Sequence, residues 1–353
     1  MQRLALGLMS GTSLDGIDAA LIVTDGVTVS KHGAWTTVPY DTALRERLRS
    51  VLGGVGDVAG AERALTEAHA AAVAKLLAEA GVAAREVAVI GFHGQTILHQ
   101  PERRRTWQIG DGKLLSERTG IAVVNDFRSA DVAAGGQGAP FAPLYHVALA
   151  QGLERPLAVL NLGGVGNVTW IGEGGPIAFD TGPANAPIDD WLRRHLGQPM
   201  DHGGQLARTG KVDGARVNAA LAHRYFSLSP PKSLDRNDFT EAMVAGMSAA
   251  DGAATLTEIT AAAAAAALAH MPAPPRRWLV TGGGRHNAVL MAALARRIGV
   301  PVEPVEAAGW RGDALEAEAF AFLAVRSLEG LPLSLPGTTG VPQPMTGGRL
   351  WRP

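Results

Sequence analysis

Gly11-Thr12-Ser13-Leu14-Asp15-Gly16-Ile17-Asp18 follows the apolar run Leu4-Ala5-Leu6-Gly7-Leu8-Met9 and leads into another, Ile17 to Val23. Two apolar runs joined by a Gly-rich polar turn predict a β-hairpin. The turn holds two hydroxyls, two glycines and two carboxylates. Gly11 and Gly16 allow a tight bend and close approach by a ligand. Exposed N–H groups and hydroxyls suit phosphate oxygens, and the carboxylates suit a hydrated Mg²⁺. The same residues also suit a ligand-free hairpin tip, because turns favour Gly, Asp and Ser for conformational reasons.

The pattern recurs. Leu157-Ala158-Val159-Leu160-Asn161-Leu162-Gly163-Gly164-Val165-Gly166-Asn167-Val168-Thr169-Trp170-Ile171 again reads as strand, Gly-rich turn, strand. The two copies lie roughly 150 residues apart, one domain length. A chain of 353 residues exceeds what one core usually holds. We therefore expect two similar α/β domains, each opening with a hairpin whose tip faces a common cleft. Asp41 can cap a helix reaching Leu52, and Leu65, Ala68, Ala72 and Leu76 give Ala61–Ala80 helical spacing, ended by Gly81. Val87 to Phe92 and Ile121 to Val124 read as strands buried on both faces. Trp278 to Thr281 is a strand entering Gly282-Gly283-Gly284, and helices are expected from His286 to Ile298 and from Asp313 to Leu328. The Pro- and Gly-rich tail from Leu331 to Pro353 is expected to be extended or loose. The domains are expected at 1–127 plus 310–353 and at 128–309. Hinges are then expected near Asp126–Gly136 and Glu303–Gly312, with closure when both ligands are present.

Composition narrows the class. The net charge is −1 with both signs scattered, which gives no footprint for nucleic acid or for an anionic membrane. Arg103-Arg104-Arg105 is a short run that reads as a solvated loop. The absence of cysteine excludes disulfides, zinc–thiolate sites, iron–sulfur clusters and a Cys nucleophile. Ala261 to Ala269 is too short and too Ala-rich to span a bilayer and reads as a buried helix. The N-terminus lacks the pattern of a signal peptide, so a cytoplasmic location is expected.

Gly112-Lys113 and Gly210-Lys211 are followed by Leu and Val, so neither completes a P-loop. No GxGxxG follows a strand, and no HExxH, GxSxG or kinase HRD set is present. Two hairpin phosphate loops plus a Gly-Gly-Gly turn remain, a combination that resembles the actin–hexokinase–Hsp70 superfamily, built of ribonuclease H-like domains. The resemblance becomes specific across the chain. Met9 to Asp18, Phe92-His93-Gly94-Gln95-Thr96, Gln108 to Gly112, Asp126-Phe127-Arg128 and Asp131 to Pro140 are similar to the anhydro-N-acetylmuramic acid kinase family. So are Asn161 to Gly164, Phe179-Asp180-Thr181-Gly182-Pro183-Ala184-Asn185, Pro231-Lys232-Ser233, Gly282 to Asn287 and Glu316 to Ala321.

The resemblance implies an ATP-dependent enzyme of peptidoglycan recycling. Water adds at C1 of a 1,6-anhydro amino sugar, the bridge opens, and O6 takes the γ-phosphoryl group. Such a reaction needs a carboxylate base at an oxocarbenium-like centre and charge stabilisation at the phosphate. Asp180 is the base implied; on its residues alone it could equally cap the turn that follows. ATP is expected at Gly11, Thr12, Ser13, Leu14, Asp15, Gly16, Ile17 and Asp18, at Asn161, Gly163 and Gly164, and at an adenosine turn of Gly282, Gly283, Gly284 and Asn287. Mg²⁺ is expected to arrive with ATP, near Asp15 and Asp18, keeping most of its waters. Sugar contacts are expected from His93, Arg128, Asp131 and Glu316, with Arg128 suited to the lactyl carboxylate. The bland readings are a core histidine for His93, a local ion pair for Arg128 and Asp131, and a surface helix carboxylate for Glu316. His93 and His99 lack metal-ligand spacing, which excludes zinc. The partner expected is the small amino sugar, without nucleic acid or membrane; a homodimer is compatible with the resemblance. Two departures stand out: Ala184 where the family has Gly, and Leu234-Asp235 where it has Thr-Gly. Other readings are a simple sugar or acid kinase without the hydrolytic step, and a non-catalytic nucleotide-gated clamp.

Overall fold

The computed structural model describes residues 1–11 and 13–353; Thr12, expected in the first phosphate loop, lies outside the described residues. The chain forms two compact units, Met1–Gln151 with Ala314–Pro353, and Gly152–Asp313.

The first unit opens with the expected hairpin, β1 (Arg3–Met9) antiparallel to β2 (Gly16–Thr24), with Met9 opposite Asp18. β3 (Val29–Pro39) continues the antiparallel run. Asp41 caps α1 (Thr42–Ser50) by accepting the Leu44 N–H. α2 (Val58–Ala80) starts three residues before Ala61, because Asp57 caps it, and ends at left-handed Gly81. β4 (Val89–Phe92) is buried throughout. β5 (Gln95–Gln100) and β6 (Arg105–Ile109) form a separate hairpin. α3 (Gly112–Thr119), β7 (Val123–Asn125), α4 (Ser129–Ala133) and α5 (Pro143–Leu149) follow.

The second unit contains β8 (Leu157–Leu162), β9 (Val165–Gly172) and β10 (Gly175–Pro183), then α6 (Asn185–Leu196), α7 (Gly214–Leu221) and α8 (Ala249–Ala266). β11 (Trp278–Thr281), α9 (Ala288–Ile298) and β12 (Val302–Pro304) complete it. The chain then returns to the first unit as α10 (Leu315–Leu328), α11 (Pro336–Thr339) and β13 (Arg349–Trp351). The tail is thus built into the fold: β13 pairs antiparallel with β7.

Both units carry one topology. The first sheet runs β13-β7-β4-β1-β2-β3 and the second β10-β9-β8-β11-β12. In each, three antiparallel strands are followed by parallel ones: β1 with β4 and β4 with β7, then β8 with β11 and β11 with β12. This is the duplicated α/β, ribonuclease H-like arrangement expected. α10 covers the first sheet closely, because an added Cβ at Gly7 or Gly91 would overlap the backbone of Ala317 or Phe320. α8 lies between the third and fourth strands of the second unit, as α2 does in the first. Every residue from Gly252 to Ala264 is buried, so small side chains are needed on all its faces. With the 3₁₀ turn after it, this helix reaches His270 and is long and apolar enough to cross a membrane, but 78% of its apolar window is buried inside the protein.

The expected domain limits need correction. The first crossing lies at 151/152 rather than 127/128, and the second at 313/314. Residues 128–151 are tied to the first unit: Arg128 to His93, Asp131 to Thr339, and Tyr145 to the fully buried Glu318. Asp126–Gly136 is therefore internal to the first unit. Glu303–Gly312 is internal to the second, where Arg285 holds Glu306 and Asp313.

Candidate active site

In the first unit the β1–β2 turn is shaped by an unusual residue. Leu14, buried and non-glycine, takes a left-handed φ of 58°, a conformation that costs about 1 kcal/mol and recurs at functional loops. Its N–H reaches the Gly11 carbonyl and its own carbonyl accepts from Arg45 Nε, at 3.2 and 3.0 Å. Among the described residues of the turn the left-handed position is Leu14, and neither Gly11 nor Gly16 takes it. Gly16 is needed for packing, since a Cβ there would lie 2.5 Å from the Val38 carbonyl. At Gly11 a Cβ would meet nothing nearer than Ser13 Oγ at 3.5 Å. Ser13 and Asp15 are exposed. Ile17 is core, so it offers a ligand only its backbone. Asp18 Oδ1 accepts from Thr37 Oγ1 at 2.6 Å.

A continuous run of hydrogen bonds leads from this turn. Ser10 Oγ and His93 Nδ1 both donate to the Gly94 carbonyl, at 3.0 and 2.7 Å. A carbonyl only accepts, so Nδ1 carries the proton and Nε2 is an acceptor. Nε2 faces Arg128 Nε and Nη2 at 3.1 and 3.0 Å. Burial, then the Arg128 charge, pushes His93 well below the usual imidazole value, so it stays neutral. Arg128 Nη1 donates to the Gly138 carbonyl at 2.5 Å, and the Gly138 N–H donates to Asp131 Oδ1 at 2.7 Å. Thr339 Oγ1 closes on Asp131 Oδ2 at 2.5 Å. His93 and Asp131 are therefore buried supports, with Arg128 half-buried between them. Asp131 does not pair with Arg128 directly; the Gly138 peptide links them. Glu316 is exposed on the first turn of α10, whereas Glu318, unnoticed in the sequence, is buried on His32 and Tyr145.

In the second unit the β8–β9 turn is Gly163-Gly164. The Gly163 carbonyl accepts from Asn185 N at 2.9 Å, and the Gly164 carbonyl from Ala184 and Ala186 N at 3.2 Å each. Asn185 Nδ2 donates to the Leu162 carbonyl at 2.8 Å. The turn is thus bound to the start of α6. Ala184 has a φ of −126°, so the departure from Gly brings no left-handed penalty. Asn161 pairs in register with Asn167 and Thr281. A Cβ on Gly163 or Gly164 would find only ordinary contacts at 3.6 and 3.5 Å. The same holds for Gly283 at 3.6 Å, whereas Gly282 has a φ of +75° and Gly284 packs on Leu162. Asn287 Oδ1 caps α9 through the Val289 and Leu290 N–H groups. α9 begins there rather than at His286, because Gly283–His286 forms a 3₁₀ turn. The side of α9 bearing Val289 lines a cavity of about 430 Å³ with Ala207 and Thr257.

Asp180 lies on β10 opposite Asn167, where the register shifts between Asp180 and Gly182. The strand continues through this bulge to Pro183, and a bulge re-aims a side chain. Asp180 is half-buried. Its Oδ2 accepts from the Leu234 N–H at 2.8 Å. This contact comes from backbone, so the Leu234 departure preserves it. An N–H aimed at a carboxylate favours the ionised form. The segment carrying Leu234 was marked in the sequence by Pro231-Lys232-Ser233 and by the Leu234-Asp235 departure; what the sequence did not reveal is that it meets Asp180 through a backbone N–H. Among the described residues no cluster of three or more His, Cys, Asp or Glu is arranged for a metal.

The family profile of anhydro-N-acetylmuramic acid kinases matches residues 3–352. A relative of that name from Rhodospirillum rubrum is 61% identical, covering 98% of this chain and 94% of its own length. Another from Paramagnetospirillum magneticum is 62% identical over 98% and 99%. Among solved structures the chain is similar to component A of (R)-2-hydroxyglutaryl-CoA dehydratase from Acidaminococcus fermentans, with a TM-score of 0.49, 14% identity and coverage of 92% and 99%. With nearly its whole length matched, the chain belongs to the anhydro-N-acetylmuramic acid kinase family and is an enzyme, a kinase.

Proposed function

We propose that this kinase opens 1,6-anhydro-N-acetylmuramic acid with water and phosphorylates O6 from ATP, giving N-acetylmuramic acid 6-phosphate and ADP in peptidoglycan recycling. The observation that carries the reading is Asp180, a carboxylate set on a bulge, with the Leu234 N–H donating to one of its oxygens. Asp180 accepts a proton from the water that attacks C1. The C1–O6 bond breaks, and O6 becomes the nucleophile at the γ-phosphorus. Arg128 is suited to the lactyl carboxylate as a planar donor. His93 Nε2, which takes its Nε and Nη2 N–H groups, and the Gly138 carbonyl, which takes Nη1, fix its guanidinium along two edges. Asp131 acts through the Gly138 peptide, and Glu316 offers an exposed carboxylate to the sugar.

The fit of ATP rests on the glycines that packing does not require. Gly11 in the first unit, and Gly163, Gly164 and Gly283 in the second, leave space where a Cβ would stand, the condition for backbone N–H groups to approach phosphates. When bound, ATP supplies the γ-phosphoryl group, with Mg²⁺ shielding its charge. Asp15 and Asp18 are the carboxylates nearest in sequence to that turn and are suited to water-mediated contact with Mg²⁺. The reading implies a cytoplasmic enzyme with a small amino-sugar substrate.

The test is Asp180→Asn. Nucleotide affinity is expected to stay within a few-fold, while turnover falls by about 10²–10⁴-fold, the contribution of a positioned base. Turnover within threefold of the parent would remove Asp180 from the chemistry.

A further inference from the structure

Lys232 is a buried cation that the mechanism has not used. It is 8% exposed, and among the described residues no carboxylate forms an ion pair with it. Its ammonium donates to the Tyr225 carbonyl at 3.1 Å and lies 3.3 Å from His270 Nε2. It also stands over the rings of Tyr225 and Phe179, 4.6 and 5.8 Å from their centroids. A buried ammonium without a counterion is costly, and an apolar side chain of similar length would fill the same space at less cost.

What the ammonium secures is the segment from Tyr225 to Leu234. This segment grips Asp180 at three points. The Lys232 carbonyl accepts the Asp180 N–H at 3.0 Å. The Tyr225 hydroxyl donates to the Asp180 carbonyl at 2.5 Å. The Leu234 N–H donates to Asp180 Oδ2 at 2.8 Å. Tyr225 and Leu234 sit at opposite ends of the segment. The bond from the Lys232 ammonium to the Tyr225 carbonyl joins one end to the residue that pairs with Asp180. His270 Nε2 stands between the ammonium and the Phe226 carbonyl, 3.2 Å from the latter, and serves one at a time: it accepts from the ammonium or donates to the carbonyl.

We propose that Lys232 is a positioning residue for Asp180: its buried ammonium locks the Tyr225–Leu234 segment, and the segment fixes the backbone and one carboxylate oxygen of Asp180. The proposal rests on Asp180 being the base. A positioned base loses rate steeply with displacement, so the effect belongs in kcat rather than in binding.

The test is a double-mutant cycle on the full-length enzyme with Mg²⁺, ATP and 1,6-anhydro-N-acetylmuramic acid. Lys232→Met is expected to lower kcat by about 10- to 100-fold, with both KM values within threefold. The acid limb of its kcat/KM profile should move to higher pH. In the Asp180→Asn background the same substitution should cost less than about threefold, because both changes act through one group. If Lys232→Met does not fold, Tyr225→Phe carries the same test through the bond to the Asp180 carbonyl. Equal losses in both backgrounds would overturn the proposal, as would a folded Lys232→Met with the parent's kcat and pH profile. If Asp180→Asn itself keeps its turnover, the assignment of the base fails, and that outcome is read independently.

Discussion

Four glycines separate what the fold requires from what a ligand requires. Gly11, Gly163, Gly164 and Gly283 have room for a Cβ, yet all lie in the turns the sequence marks as phosphate or adenosine turns. Gly163→Val is therefore expected to change stability by less than about 1 kcal/mol, measured by urea unfolding. The KM for ATP should rise about tenfold or more, since a lost 1.4 kcal/mol is tenfold in affinity. Unchanged nucleotide affinity would remove the phosphate role from that turn. Asp131 behaves oppositely. It is buried with the Gly138 N–H and the Thr339 hydroxyl on its two oxygens. Asp131→Ala leaves two donors unsatisfied and should cost about 2–3 kcal/mol in unfolding free energy. The chemistry-bearing residue types were legible in the sequence, but their partners were not. Nothing in the spacing of Arg128 and Asp131 reveals that a peptide three-dimensionally between them, at Gly138, joins the two. Leu234 was invisible as a contact because its contribution is a backbone N–H, which any residue but proline supplies.

The elements follow local rules almost throughout. Asp41 and Asp57 start helices, Gly81 ends one, and the continuous apolar runs form strands buried on both faces. Where expectation failed, tertiary packing decided. The 128–151 stretch joins the first unit because Tyr145 reaches the buried Glu318 of α10 and packs on Phe322. That partner is 173 positions away and leaves no trace in local pattern. The Pro- and Gly-rich tail is ordered because β13 finds an open edge at β7. α10 lies so close to its sheet that a Cβ at Gly91 overlaps the Phe320 carbonyl. Gly91→Ala is expected to destabilise by about 3 kcal/mol, at the upper end of overpacking costs. Gly163→Ala, in an open turn, serves as the control, and equal stabilities for the two variants would contradict the packing described.

At the scale of the molecule, the two units repeat one strand order, and the duplication was readable from the two hairpins alone. Stability is coupled to pH by buried imidazoles. Burial holds His69 and His99 down to about 4 and His146 down to about 3. The unfolded chain takes up protons below about 6.5, its ordinary imidazole value, while the folded chain does not. Stability is therefore untouched above pH 6.5 and lost as the pH falls from there toward 4. Each group contributes about 1.4 kcal/mol per pH unit inside that window, so His69, His99 and His146 give together about 4 kcal/mol per pH unit, and His93, held well below the usual imidazole value, adds to them. Urea unfolding at pH 7.5 and 5.0 should show a loss of about 2 kcal/mol per buried imidazole, and His146→Leu should reduce the slope by about a quarter; a flat profile would contradict it. The most direct test of the reaction itself is turnover with Mg²⁺-ATP and 1,6-anhydro-N-acetylmuramic acid in ¹⁸O water, quenched early and analysed by mass spectrometry. The predicted product carries one ¹⁸O at C1 and an unlabelled phosphate on O6. Label in the phosphate, or phosphorylated sugar without label at C1, would contradict the coupled hydrolysis and transfer.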